Sequence, residues 1–251
     1  MVQNKIILIT GGSGDIGSDC ARLLTEKGAK VVINYHQNKA EAEKLAAMIN
    51  EKYGSDYAIS VQADITDEQQ IKTMVRQVME KYGKIDVLIN NACPKTFPLS
   101  IQDTGWSNFE LFISVIVKGS YQLIKEITPL MAERKNGNII NILTAYVAGM
   151  PPPKLTPYIT AKYALEGLSK SLAAELGPLG IRVNMVSPGL MKNQFTSHLP
   201  EKLFELTALQ NPLKRITTAK DVAKAVLFLA SNDSSFINGL NLLVCGGSIT
   251  L

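Results

Sequence analysis

The chain is poor in everything that a metal site or a disulfide scaffold needs. Among 251 residues there are two histidines, His36 and His198, and three cysteines, Cys20, Cys93 and Cys245. They lie far apart, with no CxxC pair and no Cys/His spacing of a ligand set, so no metal is expected. An odd, scattered set of cysteines reads as reduced thiols in a cytoplasmic protein. No apolar run approaches the ~18 residues of a membrane helix. The apolar start, Ile6 to Ile9, is too short for a signal peptide and runs straight into glycines. An excess of one charge is also missing: 26 basic residues against 22 acidic ones leave +4, with the lysines spread along the chain. That excludes the clustered basic footprint of a nucleic-acid partner. There is no linker, repeat or low-complexity tract, so one domain over residues 1–251 is expected.

What is present is a globular composition, 46% hydrophobic and 19% charged, and a strict rhythm. Short apolar runs at Lys5–Thr10, Lys30–Tyr35, Ala58–Gln62, Ile85–Asn90, Asn138–Leu143, Ile181–Val186 and Asn241–Val244 read as strands buried on both faces. Between them lie helical patterns at Ser18–Lys27, Asn38–Tyr53, Asp67–Tyr82, Trp106–Lys135, Tyr158 to about Leu176, and Ala219–Ala230. Thr66 or Asp67 is placed to cap the third of these, with Gly83 after its end. The stretch Ser187–Pro212 shows no clear pattern and reads as a mobile segment. Strands alternating with helices indicate βαβ units, and right-handed crossovers then give an α/β, doubly wound parallel sheet with helices on both faces.

Two stretches carry chemistry. The first is strand, glycine turn, helix: KIILIT, then GGSGDIG, then Ser18–Lys27. Glycines there let backbone amides approach a phosphate, which the helix N-terminus attracts. The second is Asn141–Ala174, where Tyr158 and Lys162 lie four apart and so share a helical face. A free phenol titrates near ~10. An ammonium one turn away is expected to stabilise the phenolate and lower that value, making Tyr158 a usable acid or base at a carbonyl or alcohol oxygen. Alone, the same spacing also arises by chance on a solvated helix face.

The order of the motifs decides between these readings. TGGSGDIG at Thr10–Gly17, Ala63-Asp64, NNA at Asn90–Ala92, YITAK at Tyr158–Lys162, SPG at Ser187–Gly189 and FLAS, ING and GG near the end follow one another at distances that resemble the short-chain dehydrogenase/reductase family. The resemblance is nearest to its 3-oxoacyl-[acyl-carrier-protein] reductase type and covers the whole chain. It implies a single Rossmann-type domain with a nicotinamide cofactor across the carboxyl ends of the strands. The cofactor-binding residues implied are Gly11, Ser13, Asp15 and Ile16 of the glycine turn, and Asn34, Tyr35 and His36 at the end of the second strand. Asp64 and Ile65, Asn90, Asn91 and Ala92, Tyr158, Lys162, Pro188 and Gly189 complete the set. Asp64 is also a candidate N-terminal cap. Tyr158 is implied as the acid/base and Lys162 as its partner. The second strand ends in Asn-Tyr-His-Gln-Asn-Lys with no carboxylate to hold a ribose 2′-hydroxyl, which favours NADP(H) over NAD(H), although no arginine is present for a bidentate contact.

The chain departs from the family pattern near the chemistry. Asp15 stands where a glycine is usual, where it can cap the helix, occupy the anion position and repel a pyrophosphate. Cys93 replaces the last glycine of NNAG. The family's catalytic serine falls on Ala145, with Thr144 beside it as a substitute donor or as a mere strand-end cap; losing such a donor costs ~10²–10³ in rate. The family's helix asparagine, which holds a proton-relaying water, falls on Ile116. Asn193 replaces a threonine. The segment Gly189–Leu213, with Phe195, Leu199, Leu203 and Phe204, is expected to cover the site as an apolar lid, with Phe97 and Met150 lining the same cleft. This fits a small hydrophobic or carrier-bound acyl substrate.

Three functions remain open. One is an oxidoreductase. Another is a non-catalytic subunit, with no cofactor if the site is dead, that stabilises an active paralogue in a hetero-oligomer. The third is a changed reaction such as dehydration or isomerisation. The apolar stripes Phe109, Phe112, Ile113, Ile116 and Leu165, Leu168, Leu172 fit a homodimer or homotetramer interface, or core. A P-loop is excluded because Gly17-Ser18 lacks the lysine, and a nucleophile elbow because Asp15 fills the last place of G-x-S-x-G around Ser13.

Overall fold

A strand flanked on both faces by helices has no polar face to show, and the apolar runs of this chain form such strands. The computed structural model describes residues 1–95 and 98–250. Its centre is a seven-stranded parallel sheet of β1 (Ile6–Ile9), β2 (Lys30–Tyr35), β3 (Ala58–Gln62), β4 (Val87–Asn90), β5 (Gly137–Ile142), β6 (Ile181–Pro188) and β7 (Asn241–Val244). The order across the sheet is β3-β2-β1-β4-β5-β6-β7. The chain reverses its direction of winding between β1 and β4, where Ile7, Leu8 and Ile9 pair with Val87, Leu88 and Ile89.

Successive side chains of a strand point to opposite faces, and the core divides accordingly. Ile7, Ile9, Val31 and Ile33 pack under α1 (Asp15–Glu26), α2 (Lys39–Tyr53) and α8 (Ala219–Ala230). Ile6, Leu8 and Val32 pack on the other face, under α3 (Glu68–Tyr82), α5 (Ser120–Glu133) and α6 (Thr156–Leu176). Full burial of each such side chain contributes about 1.5–3 kcal/mol. A third apolar cluster, built from Phe112, Ile116, Leu143, Val147, Tyr158, Ile159, Ala161, Leu165 and Met185, sits at the carboxyl end of the sheet.

Local expectations need three corrections. The first helix starts at Asp15 rather than Ser18, because Gly14 is extended and serves as its N-cap. The region Trp106–Lys135 is not uniform: α4 (Trp106–Phe112) widens into π-helical turns at Ile113–Gly119 before α5. The stretch expected to be mobile contains a short 3-10 turn, Gln194–Thr196, and α7 (Glu201–Gln210). Of the apolar stripes, Phe112, Ile116 and Leu165 are buried within the chain and Phe109, Ile113, Leu168 and Leu172 are partly buried, with exposed Trp106 stacked on Phe109. The cap of α3 is Asp67, whose carboxylate accepts from the amides of Gln69 and Gln70. Among the described residues no helix is long and apolar enough to cross a membrane.

Candidate active site

The glycine turn leaves β1 at the point where the winding reverses, which in open parallel sheets is where ligands bind. Gly11 has φ +57°, which a side chain rarely tolerates. A Cβ on Gly17 would meet the Gly11 carbonyl oxygen at 2.5 Å, so only glycine lets α1 sit against the turn. Asn91 clamps the turn from β4: its side-chain amide donates to the carbonyls of Thr10 (3.0 Å) and Gly11 (3.1 Å). The Thr10 hydroxyl accepts from the amides of Asn91 and Ala92 at 2.9 and 3.0 Å, a positioning role that the sequence reading missed. Asn91 therefore holds the cradle. Asn90 is buried and donates to Asn141 Oδ1 at 2.8 Å, so its side chain joins two strands.

At the end of β2 the expectations separate. Asn34 is buried and spends its amide on the Ala63 carbonyl (3.1 Å), while its own carbonyl accepts from Gly12 N at 2.9 Å. The Tyr35 side chain belongs to the core, and that of Ile65 is buried against Gly119. Of these three, Asn34 reaches the cradle, and it does so through its backbone carbonyl. His36 is exposed, and its Nε2 stands 3.7 Å from Asp64 Oδ2. Asp64 also accepts from the amide and hydroxyl of Thr66, both at 2.8 Å, so it turns the chain before α3 and caps nothing. Ser13 and Ile16 are partly buried at the turn, and Pro188 and Gly189 end β6, with Gly189 N donating to Val244 O at 3.0 Å.

Asp15 is the first residue of α1. Its side chain does not cap the helix, contrary to expectation. It is exposed, and its Oδ2 accepts from the amide of Gln194 at 3.2 Å. Beside it runs a cleft of about 280 Å³ lined by Asp15, Ser18, Asp19, Arg22, Met191, Lys192, Asn193 and Ala219.

Tyr158 and Lys162 share a face of α6 as the spacing requires, and both are buried, 9% and 3% exposed. The Lys162 Nζ lies 5.7 Å from the Tyr158 ring centroid and donates to the Ile142 carbonyl at 2.6 Å. The expected lowering of the phenol by Lys162 does not appear. Burial pushes the Tyr158 phenol up, the Cys93 thiol and Tyr146 add to this, and Thr144 works against them. Burial likewise pulls the Lys162 ammonium down, with Cys93 partly restoring it. The low local dielectric wins over the neighbouring cation, since it penalises both charged forms. Cys93, next to Ala92, is an exposed residue. Crowding on its protein side raises the thiol, and Lys162 pulls it back.

Thr144 is buried at the end of β5, where its hydroxyl caps the Ala145–Val147 turn and works to lower the Tyr158 phenol. Ala145 is 1% exposed and carries no donor. Ile116, in the π-helical turns, packs apolar atoms into the cluster around Tyr158. Asn193 accepts from Thr196 N at 3.0 Å and so caps its own turn. Phe195 lies 5.1 Å from the Tyr158 ring and Phe112 lies 6.0 Å from it. Phe204 is buried, Leu203 is 39% exposed and Met150 is 90% exposed. Phe97 lies outside the described residues. No group of His, Cys, Asp and Glu among the described residues is arranged to hold a metal ion.

A family model described as enoyl-(acyl carrier protein) reductase matches residues 12–248. The chain belongs to the short-chain dehydrogenase/reductase family. Within that family it is 35% identical over 247 residues to a 3-oxoacyl-[acyl-carrier-protein] reductase of Staphylococcus epidermidis, covering 98% of this chain and 99% of that protein. It is 34% identical over 248 residues to the (2S)-[(R)-hydroxy(phenyl)methyl]succinyl-CoA dehydrogenase subunit BbsD of Thauera aromatica, covering 98% and 97%. A crystal structure of 3-ketoacyl-(acyl-carrier-protein) reductase from Brucella melitensis, complexed with NADH, superposes with a TM-score of 0.90 at 31% identity, covering 99% of each chain. Short-chain dehydrogenase/reductase architecture thus accounts for the order of the sheet, the glycine cradle at its switch point and the Tyr158–Lys162 face of α6.

Proposed function

We propose that the chain is a nicotinamide-dependent oxidoreductase that interconverts a ketone and an alcohol on a hydrophobic or carrier-bound acyl substrate. One observation carries this reading: Thr144, Tyr158 and Lys162 are drawn together at the carboxyl end of the sheet, beside a glycine cradle. The residues present fit a dinucleotide. The cradle is one that a Cβ at Gly17 would fill. Gly11, Ser13 and Ile16 would line the diphosphate, His36 and Asp64 the adenosine end, and Ala92, Pro188 and Gly189 the nicotinamide side. When bound, the cofactor supplies or takes up a hydride at the substrate carbon. NADP(H) is favoured over NAD(H), because β2 ends in exposed His36 and no carboxylate.

The chain's own part is the proton. Burial holds the Tyr158 phenol protonated, which is the state needed to give a proton to the oxygen of a carbonyl being reduced. Thr144, whose hydroxyl acts on the Tyr158 phenol, takes the place of the serine missing at Ala145. Lys162 carries positive charge beneath the ring and steadies the phenolate left behind. Apolar Ile116 closes the inner side, so the proton is replaced from the cleft mouth. In the covered site, Phe195 and Phe112 keep water from the ring.

The test is oxidation of NADPH and NADH with 3-oxoacyl thioesters and aryl ketones. Tyr158→Phe should abolish turnover, and Thr144→Ala should lower kcat ~10²–10³-fold. Full activity in T144A would remove Thr144 from the mechanism. Failure of the chain both to bind and to oxidise either nucleotide would sink the reading. A second reading, a non-catalytic subunit that supports an active paralogue, draws on the apolar residues at positions 116 and 145 and on exposed Trp106, Leu111 and Tyr121 along α4 and α5. The Thauera relative is itself named as a subunit. Co-purification of a paralogue from the native host favours this reading; a lone, active homodimer or homotetramer rejects it.

A further inference from the structure

The covering segment touches the two halves of the site with two adjacent residues. The Gln194 amide donates to Asp15 on the glycine turn at 3.2 Å. The next residue, Phe195, sets its ring 5.1 Å from that of Tyr158, which is left 9% exposed. The segment between them is stiff. Asn193 and Thr196 bond reciprocally, each backbone amide to the other's side chain at 3.0 Å. The Thr196 hydroxyl donates to the Met191 carbonyl at 2.6 Å. Lys192 pairs with Glu201 at 2.5 Å, which ties the turn to α7. Residues 191–201 are therefore linked, and a pull at Gln194 is felt at Phe195.

Asp15 sits in the first turn of a twelve-residue helix, with its carboxylate near the positive end of that helix. A cofactor diphosphate would use the same end and the same sign of charge. We propose that Asp15 is an internal competitor for the diphosphate and the latch of the covering segment. With the Asp15–Gln194 bond made, the anion position is opposed by a resident carboxylate and Phe195 lies over Tyr158. Entry of the diphosphate displaces the carboxylate, frees Gln194 and lifts Phe195 away, so cofactor binding uncovers the acid/base residue. This inference rests on the nicotinamide reading above. It makes Asp15 a determinant of cofactor affinity and of access to the site, at a position where the family pattern has glycine.

The experiment uses the full chain as wild type, Asp15→Ala and Asp15→Asn. Amide hydrogen exchange across residues 191–198 is measured without nucleotide, and NADPH and NADH affinities are measured by calorimetry. In D15A, exchange at Gln194 should rise at least tenfold and nucleotide binding should tighten at least tenfold. D15N keeps an acceptor oxygen but no charge, so it should tighten binding while Gln194 stays close to wild-type exchange. Unchanged exchange in D15A overturns the latch. Faster exchange with wild-type affinity overturns the competition alone. If neither the wild type nor either variant binds nucleotide, the competition and the cofactor reading fall together, whatever the exchange shows.

Discussion

Replacing Lys162 with methionine separates what this residue does for chemistry from what it does to the fold. Lys162 is 3% exposed, and its ammonium has one acceptor, the Ile142 carbonyl at 2.6 Å. None of the ion pairs among the described residues includes it. Losing a charge-assisted hydrogen bond costs about 1.5–3 kcal/mol. Releasing a buried ammonium from its desolvation returns several kcal/mol, and replacing buried charge with a packed apolar chain of similar volume is commonly neutral or stabilising by ~1–4 kcal/mol. Lys162→Met should therefore be about 1–2 kcal/mol more stable than wild type at pH 7, equivalent to ~2–8 °C in Tm for a chain of this size.

The pH dependence gives the sign independently. Burial lowers the folded-state pKa of Lys162, so the unfolded chain holds this proton more tightly. Wild-type stability then rises with pH through the window between the lowered folded value and the ordinary ~10.4, while the variant lacks this contribution. Urea unfolding of both proteins from pH 7 to pH 10 should show the advantage of K162M shrinking, and turnover should fall by ~10² or more. A variant less stable than wild type by over ~1 kcal/mol, or a gap that does not change with pH, refutes the desolvation argument.

Three further outcomes follow from the same structure. Tyr158 carries the opposite sign: burial raises its phenol, so wild type should lose stability relative to Tyr158→Phe as pH climbs above ~10, measured by urea unfolding. Gly17→Ala places a Cβ 2.5 Å from a backbone oxygen of Gly11; the turn must open, and nucleotide affinity by calorimetry should drop at least ~10-fold, about 1.4 kcal/mol. Asp67→Ala removes the cap that accepts from Gln69 and Gln70 and should cost about 1 kcal/mol in unfolding free energy with kcat unchanged.

The sheet was legible because buried parallel strands are written as continuous apolar runs, and every strand run read from the sequence lies in the sheet within a residue or two. What was not legible had no local signal. The π-helical turns at Ile113–Gly119 carry no distinct residue pattern. Helix α7 was masked by its composition: Leu203, Leu206 and Leu209 are exposed along it, so its apolar residues do not trace one buried stripe. Asn34, Tyr35 and Asn90 stand at positions that the motif assigns to the cofactor, yet their side chains are spent on the sheet and core. Motif position fixes where the backbone runs, and only the packing shows which way each side chain is committed.

The Tyr158–Lys162 pair shows the same division at the level of charge. Spacing four along a helix guarantees nearness, and the structure has it. Nearness alone predicts a lowered phenol, because an ammonium favours a phenolate. The sign reverses because Phe112, Ile116 and Phe195 remove water from the phenol, and the loss of hydration outweighs one neighbouring cation that is itself buried. None of those three residues is adjacent to Tyr158 in sequence. A resting site with a protonated phenol is matched to giving a proton, and opening the segment that carries Phe195 would rehydrate the ring and bring the phenol down towards its ordinary range. The direction of proton transfer is therefore set by the cover as much as by the catalytic pair.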